Sequence, residues 1–152
     1  MPGNWLPLTH LRQVRRGACL PACVRMVLLA LGDDASEDQL SQSFGTEWYG
    51  TPASRIQRLT QRGYRVTYEQ TTLEQLQHYL QQQSPVIVFL RTGGLPGWRE
   101  DVAHAVVLVG LTSDIAIIHD PARDSGPDEI GLDALLLAWS EMDYYCATIV
   151  RA

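Results

Sequence analysis

Residues 11–32, LRQVRRGACLPACVRMVLLALG, constrain the chain more than any other stretch: a polar, glycine-containing approach runs into an apolar segment long enough for several helical turns. Pro21 suits the first turn of a helix, where its missing N–H is harmless, and Gly32 suits the left-handed position that ends one. Cys19 is therefore expected at the helix N-terminus. Unpaired N–H groups and the positive end of the helix dipole lie there, and both favour thiolate over thiol. By itself the position proves little, because cysteine is among the most buried residue types and commonly serves as a small apolar side chain.

Two later segments supply companions. His104 lies in AHAVVLVGL, which reads as a buried strand, and Asp120 follows in IAIIHDPA, at the end of the next short apolar run. A His and an Asp on paired neighbouring strands can approach closely enough for the carboxylate to orient the imidazole. Nucleophile, base and orienting carboxylate are then all present. Strand alternation turns His119 to the face opposite Asp120. His10 and His78 have no partner that the sequence identifies.

Between these points the chain reads as an alternation of short elements. Ser36 and Gln39 form a capping-box pattern ahead of Leu40. FGTEWYG is a loop, after which Thr51 caps a helix whose first position is Pro52 and whose stop is Gly63, with Ala53, Ile56 and Leu59 or Thr60 inward. Residues 63–70 alternate as a strand with one wet face. Thr72 and Gln75 repeat the capping pattern for a helix to Gln83, and VIVFL after Pro85 is a strand buried on both faces. Residues 93–100 are a Gly/Pro-rich loop that borders the His104 strand, with Trp98 either a substrate wall or a cover for the sheet edge. After Asp120 come a Gly/Pro/Asp loop, a helix over 133–139 and a strand over 144–150. Helices early and strands late indicate an α+β domain, and 152 residues fit a single domain spanning 1–152 with a core of its own.

At these residues the sequence resembles the C39 family of papain-like cysteine peptidases, bacterial enzymes that cut bacteriocin and related leader peptides. Gln13, Cys19, Pro21, Ala22, Met26, Val27 and Leu28 follow the family's motif, as do Gly50-Thr51, Pro85-Val86-Ile87, His104 and Asp120-Pro121 further on. The ordered set spans most of the chain. The resemblance implies a papain-like fold, with the catalytic-cysteine helix packed on an antiparallel sheet. It also implies a Cys19, His104 and Asp120 triad, Gln13 as an oxyanion donor, and a cleft bordered by Leu20, Gly50, Thr51, Trp98 and Ala103. Where the family has Asp before the cysteine and Gly after it, this chain has Ala18 and Leu20, which adds bulk beside the thiol.

The expected activity is thiol-dependent cleavage of a peptide or leader after small residues, Gly-Gly in type. A non-catalytic peptide-binding module and an acyl transferase or isopeptidase using the same residues are the alternatives. The partners expected are a peptide or protein substrate and a separately encoded transporter. No cofactor is expected. A zinc site from Cys19 and Cys23 with His104 or His119 lacks the second ligand pair of structural zinc sites, so Cys23 and Cys146 read as core.

With 12 basic and 17 acidic residues the net charge is −5, and no basic patch carries interleaved aromatics, which argues against nucleic acid. Arg12, Arg15 and Arg16 read as a solvated approach to the helix rather than a site for an acidic partner. Three cysteines cannot all pair, and the N-terminus lacks a charged-then-apolar signal pattern, so a cytoplasmic location is expected. No stretch reaches the ~18 apolar residues of a membrane span.

Overall fold

A computed structural model describes residues 4–152. Helix α1 spans Cys19–Ala30, so the thiol does open it. At its far end the Gly32 N–H bonds the Leu29 carbonyl at 3.0 Å and the Asp33 N–H bonds the Leu28 carbonyl at 2.9 Å, with Gly32 at φ +86°. That pairing is the Schellman closure, which needs a left-handed residue where glycine pays no Cβ penalty. From Leu20 to Leu28 almost every residue of α1 is buried, which marks a central helix rather than a surface one.

Helix α2, Glu37–Phe44, starts with both halves of the capping box, Ser36 to the Gln39 N–H at 3.1 Å and Gln39 to the Ser36 N–H at 3.0 Å. The next helix departs from expectation. It is a 3₁₀ helix over Ala53–Arg62 with Pro52 at its cap, and the Thr51 hydroxyl bonds Thr46 at 2.6 Å instead of capping it. Ile56 and Leu59 are buried and Thr60 is exposed. Inward positions three apart suit three residues per turn, and the same spacing is half of an α-helical stripe, so the sequence alone could not separate the two.

Among the described residues six strands follow: β1 (Tyr64–Gln70), β2 (Val86–Arg91), β3 (Ala103–Leu111), β4 (Ile115–His119), β5 (Asp128–Gly131) and β6 (Tyr145–Arg151). They form one antiparallel sheet in the order β1-β6-β2-β3-β4-β5. Strand β5 replaces part of the expected loop; four residues with two exposed carry too little alternation to be read. Helix α3, Leu73–Gln81, is capped by Thr72. It stops short of Gln83, which sits at φ +64° while the Ser84 N–H closes onto the Tyr79 carbonyl at 3.0 Å. Helix α4 spans Leu132–Ser140.

The sheet is the middle of three layers. Ile87, Phe89, Ala105, Val107, Ile117 and Ala147 pack with side chains of α1, α2 and the 3₁₀ helix. Their neighbours Val86, Val88, Leu90, Val106, Ile118 and Cys146 pack with α3 and α4. Burial on both faces is what makes β2 and β3 continuous apolar runs rather than alternating ones. Among the described residues no helix is long and apolar enough to cross a membrane.

Candidate active site

Strands β3 and β4 pair with Val107 opposite His119. One further step in that register sets Asp120 opposite Val106, diagonal to His104 and on the same face, within reach of a long side chain. The His104 Nε2–H donates to Asp120 Oδ1 at 2.7 Å, and both side chains are buried, at 7% and 3% exposure. Asp120 is held further: the Ala122 N–H donates to Oδ1 at 2.9 Å and the Trp98 indole N–H to Oδ2 at 3.0 Å. With Nε2 committed to Asp120, Nδ1 is the ring nitrogen left for Cys19, whose half-buried thiol is hydrogen-bonded to His104.

These contacts shift three titrations together. Burial opposes charge on Cys19, but the hydrogen bond and positive charge of His104, with backbone contacts from Ala105 and Leu20, hold its pKa below the ordinary value. Burial likewise opposes charge on His104, yet Asp120 and Cys19 raise it to about 9. Asp120 stays below the usual carboxylate value because the same bonds outweigh its own burial. Both shifts favour a thiolate beside an imidazolium.

Gln13 reaches the cluster through its backbone, its N–H donating to the Pro121 carbonyl at 2.8 Å. Its side-chain Nε2 donates to the Arg15 carbonyl at 3.1 Å, and its Oε1 is buried without a partner among the described residues. Arg12 pairs with Asp124 at 2.7 Å, Arg15 with Asp38 at 3.1 Å, and Arg16 lies 5.2 Å from the Trp48 ring centroid. All three arginines thus have partners on the surface of the chain itself.

Beside Cys19 and His104 runs a groove of about 320 Å³, walled by Leu20, Tyr49, Gly50, Thr51, Pro52, Ala53, Phe89, Ala103, Ala105 and Met142. Four of the anticipated groove residues, Leu20, Gly50, Thr51 and Ala103, are therefore together. Trp98 is outside this lining, packed on His104. Phe89 and Met142 were not legible beforehand. Phe89 lies inside an unbroken apolar run, and Met142 comes from a turn distant in sequence, so neither carries a local signal. A larger hollow of about 600 Å³ near Trp5 and Gln77 is lined, among the described residues, by no titratable or nucleophilic side chain.

Cys23 points into the core, its thiol on the Ala105 carbonyl at 3.4 Å, and burial pushes its pKa well up; burial also lifts Cys146, to about 12. His119 does face away from Asp120. It meets His10, Nδ1 to Nδ1 at 3.0 Å. Among the described residues no group of three or more His, Cys, Asp or Glu side chains could hold a metal ion.

Solved structures share this arrangement of elements. A C39-like peptidase candidate from Bacillus anthracis is 15% identical, with TM-score 0.77 over 96% of this chain and 98% of its own. The peptidase domain of Streptococcus ComA, a bifunctional ABC transporter of a quorum-sensing pathway, is 19% identical with TM-score 0.77, covering 95% and 98%. A double-glycine-motif protease from an AMS/PCAT transporter, solved with its leader peptide, is 18% identical with TM-score 0.77, covering 100% and 97%. Comparison with curated proteins gives no match. The Peptidase_C39 like family matches residues 6–147, a span that carries Gln13, Cys19, His104 and Asp120 in order, and the chain belongs to that family.

Proposed function

We propose that this chain is a cysteine endopeptidase that cuts a peptide or leader after small residues, Gly-Gly in type. The observation that carries the reading is the hydrogen-bonded line from Cys19 through His104 to Asp120 at the head of an apolar groove. Similarity to a double-glycine-motif protease supports the choice of substrate. An apolar groove lined by Phe89, Met142 and Leu20 suits a backbone with little side chain.

In this reading the Cys19 thiolate attacks the scissile carbonyl; an S–C bond forms and the carbonyl electron pair moves onto oxygen. The Gln13 amide and the Cys19 backbone N–H donate to that oxyanion, and one such donor is typically worth ~2.7–4 kcal/mol of transition-state stabilisation. Collapse breaks the C–N bond, and His104 gives its proton to the leaving amine. Neutral His104 then takes a proton from water, hydroxide attacks the thioester, and the acid leaves as the thiolate and imidazolium return. Asp120 fixes the imidazole and stabilises its charged form. The leader would meet the chain in the cytoplasm and be shared with a separately encoded transporter.

The test is a synthetic peptide with an internal Gly-Gly, followed by mass spectrometry. Cleavage after the second glycine is expected, lost in Cys19→Ala and in His104→Ala. Saturable binding without cleavage would assign the chain to the non-catalytic class, and transfer of the acyl group to an added amine in preference to water would make it a transferase.

A further inference from the structure

Glu37 is a buried acid that the reaction above does not use. It is the first residue of α2 and only 4% exposed. Its Oε1 accepts from the Val14 N–H at 2.9 Å, and its Oε2 from the same N–H at 3.1 Å and from the Arg15 N–H at 3.1 Å. A buried carboxyl group is costly unless its oxygens are hydrogen-bonded, and buried backbone N–H groups need acceptors just as much. Each satisfies the other here.

The segment so held is the one that carries Gln13. The Gln13 N–H is fixed by Pro121 on the side of the Asp120 turn, and its side-chain Nε2 donates to the Arg15 carbonyl. The amide direction of Gln13 therefore depends on where Arg15 sits, and Arg15 sits where Glu37 holds its N–H. Arg15 has two further ties: its carbonyl accepts from the Ala18 N–H at a long 3.3 Å, and its side chain forms an ion pair with Asp38 in which both side chains are more than half exposed. Exposed pairs of that kind contribute roughly 0–1 kcal/mol and cannot substitute for the buried contact.

We propose that Glu37 is a positioning residue for Gln13, setting the aim of the oxyanion donor from α2. The inference rests on the reading of Gln13 as that donor.

A peptide aldehyde ending in Gly-glycinal separates the two. It adds reversibly to Cys19: an S–C bond forms and the carbonyl pair becomes an oxyanion, with no leaving group. Iodoacetamide alkylates the same thiolate by displacing iodide and forms no oxyanion. Gln13→Ala should weaken aldehyde inhibition about 10²-fold. Glu37→Gln replaces an oxygen acceptor with an N–H₂ that opposes the backbone donors, and should weaken it about 10-fold, within what an ångström of misplacement can cost. In the double variant the Glu37 effect should vanish, since coupled sites are not additive. Alkylation of Cys19 should keep the parent rate throughout, and Glu37→Asp should recover part of the loss, which covers the case in which Glu37→Gln folds poorly.

A Glu37 effect of equal size with and without Gln13 would mean a general structural role and overturn the proposal. So would unchanged aldehyde affinity in both Glu37 variants. If Gln13→Ala changes nothing while Cys19 remains a reactive thiolate, the oxyanion assignment falls and this inference with it. If Cys19 of the parent is unreactive, the peptidase reading itself has failed, and this inference falls with that too.

Discussion

The Trp98 indole N–H donates to Asp120 Oδ2 at 3.0 Å while its ring lies 4.8 Å from the His104 ring, tilted by 57°. One side chain thus holds the carboxylate oxygen that faces away from the imidazole and also covers the imidazole. Hydrogen bonds to a charged group contribute about 1.5–3 kcal/mol, and exclusion of water strengthens the bond beneath. Trp98→Phe keeps the ring and loses the donor. It should lower kcat with KM unchanged, and the alkaline limb of the pH profile should move up, because Asp120 then gives more of its charge to His104. A rise in KM at constant kcat would assign Trp98 to the substrate wall instead.

His119 makes a second titration, separable from that of His104. The His10 Nε2–H donates to the Arg123 carbonyl at 2.8 Å, so His10 Nδ1 accepts from His119 Nδ1–H and His119 Nε2 is left buried without a partner among the described residues. Burial, then the neighbouring His10, pushes the His119 pKa down to about 4. The unfolded chain binds that proton near 6.5, so stability should fall as pH drops from 6.5 toward 4. Urea midpoints measured across that window should decline in the parent and be nearly flat in His119→Phe. Parallel curves would remove His119 as the cause.

Gly17 couples the cysteine helix to one wall of the groove. It sits at φ +79°, and a Cβ there would overlap the Glu47 carbonyl oxygen and lie 2.6 Å from that of Trp48. The clash is with backbone, which cannot rotate away. Gly17→Ala should therefore displace the turn that leads into Tyr49, Gly50 and Thr51, raising KM for the peptide and lowering the melting temperature together. A variant with parent stability and parent KM would show that the turn yields freely.

How much of this was legible follows from how local each signal is. Ser36 with Gln39, Thr72, and Gly32 each act within a few residues, and each cap stands where the sequence puts it. His104 and Asp120 were readable as a pair because two adjacent strands separate them by one tight turn. Glu37, Phe89 and Met142 reach the site from elements remote in sequence, and nothing in their own neighbourhood distinguishes them from capping or core residues. The polar β5 and the 3₁₀ helix were missed or misread for a related reason: short edge strands and period-three stripes carry weak patterns.

Leu20 adds bulk beside the thiol only in part, because its side chain is 2% exposed and belongs to the core around α1 while forming part of the groove wall. Truncating a buried leucine costs about 2–5 kcal/mol through lost burial and the cavity left behind. Leu20→Ala should lower the denaturation midpoint accordingly, and Leu20→Gly further, since glycine also weakens the first turn of the helix. If either variant were as stable as the parent and cleaved peptide faster, Leu20 would be a groove residue alone.

The pH dependence of Cys19 decides between peptidase and binding module without knowledge of the substrate. Its pKa is held below the ordinary 9.0 although burial opposes this, while Cys23 and Cys146 are pushed upward by burial. Iodoacetamide at mildly acidic pH should therefore alkylate Cys19 far faster than the other two, with peptide mapping to give the site. In His104→Ala the thiolate loses its cationic partner, and its reactivity should shift to higher pH. Peptide turnover needs the imidazolium as well, so it should fall as pH rises through about 9, where His104 loses its proton. Asp120→Asn removes the strongest interaction that raises His104 and should bring that limb down in pH. Slow reaction at all three thiols, each following an ordinary cysteine titration and indifferent to His104→Ala, would leave the groove as a binding site only.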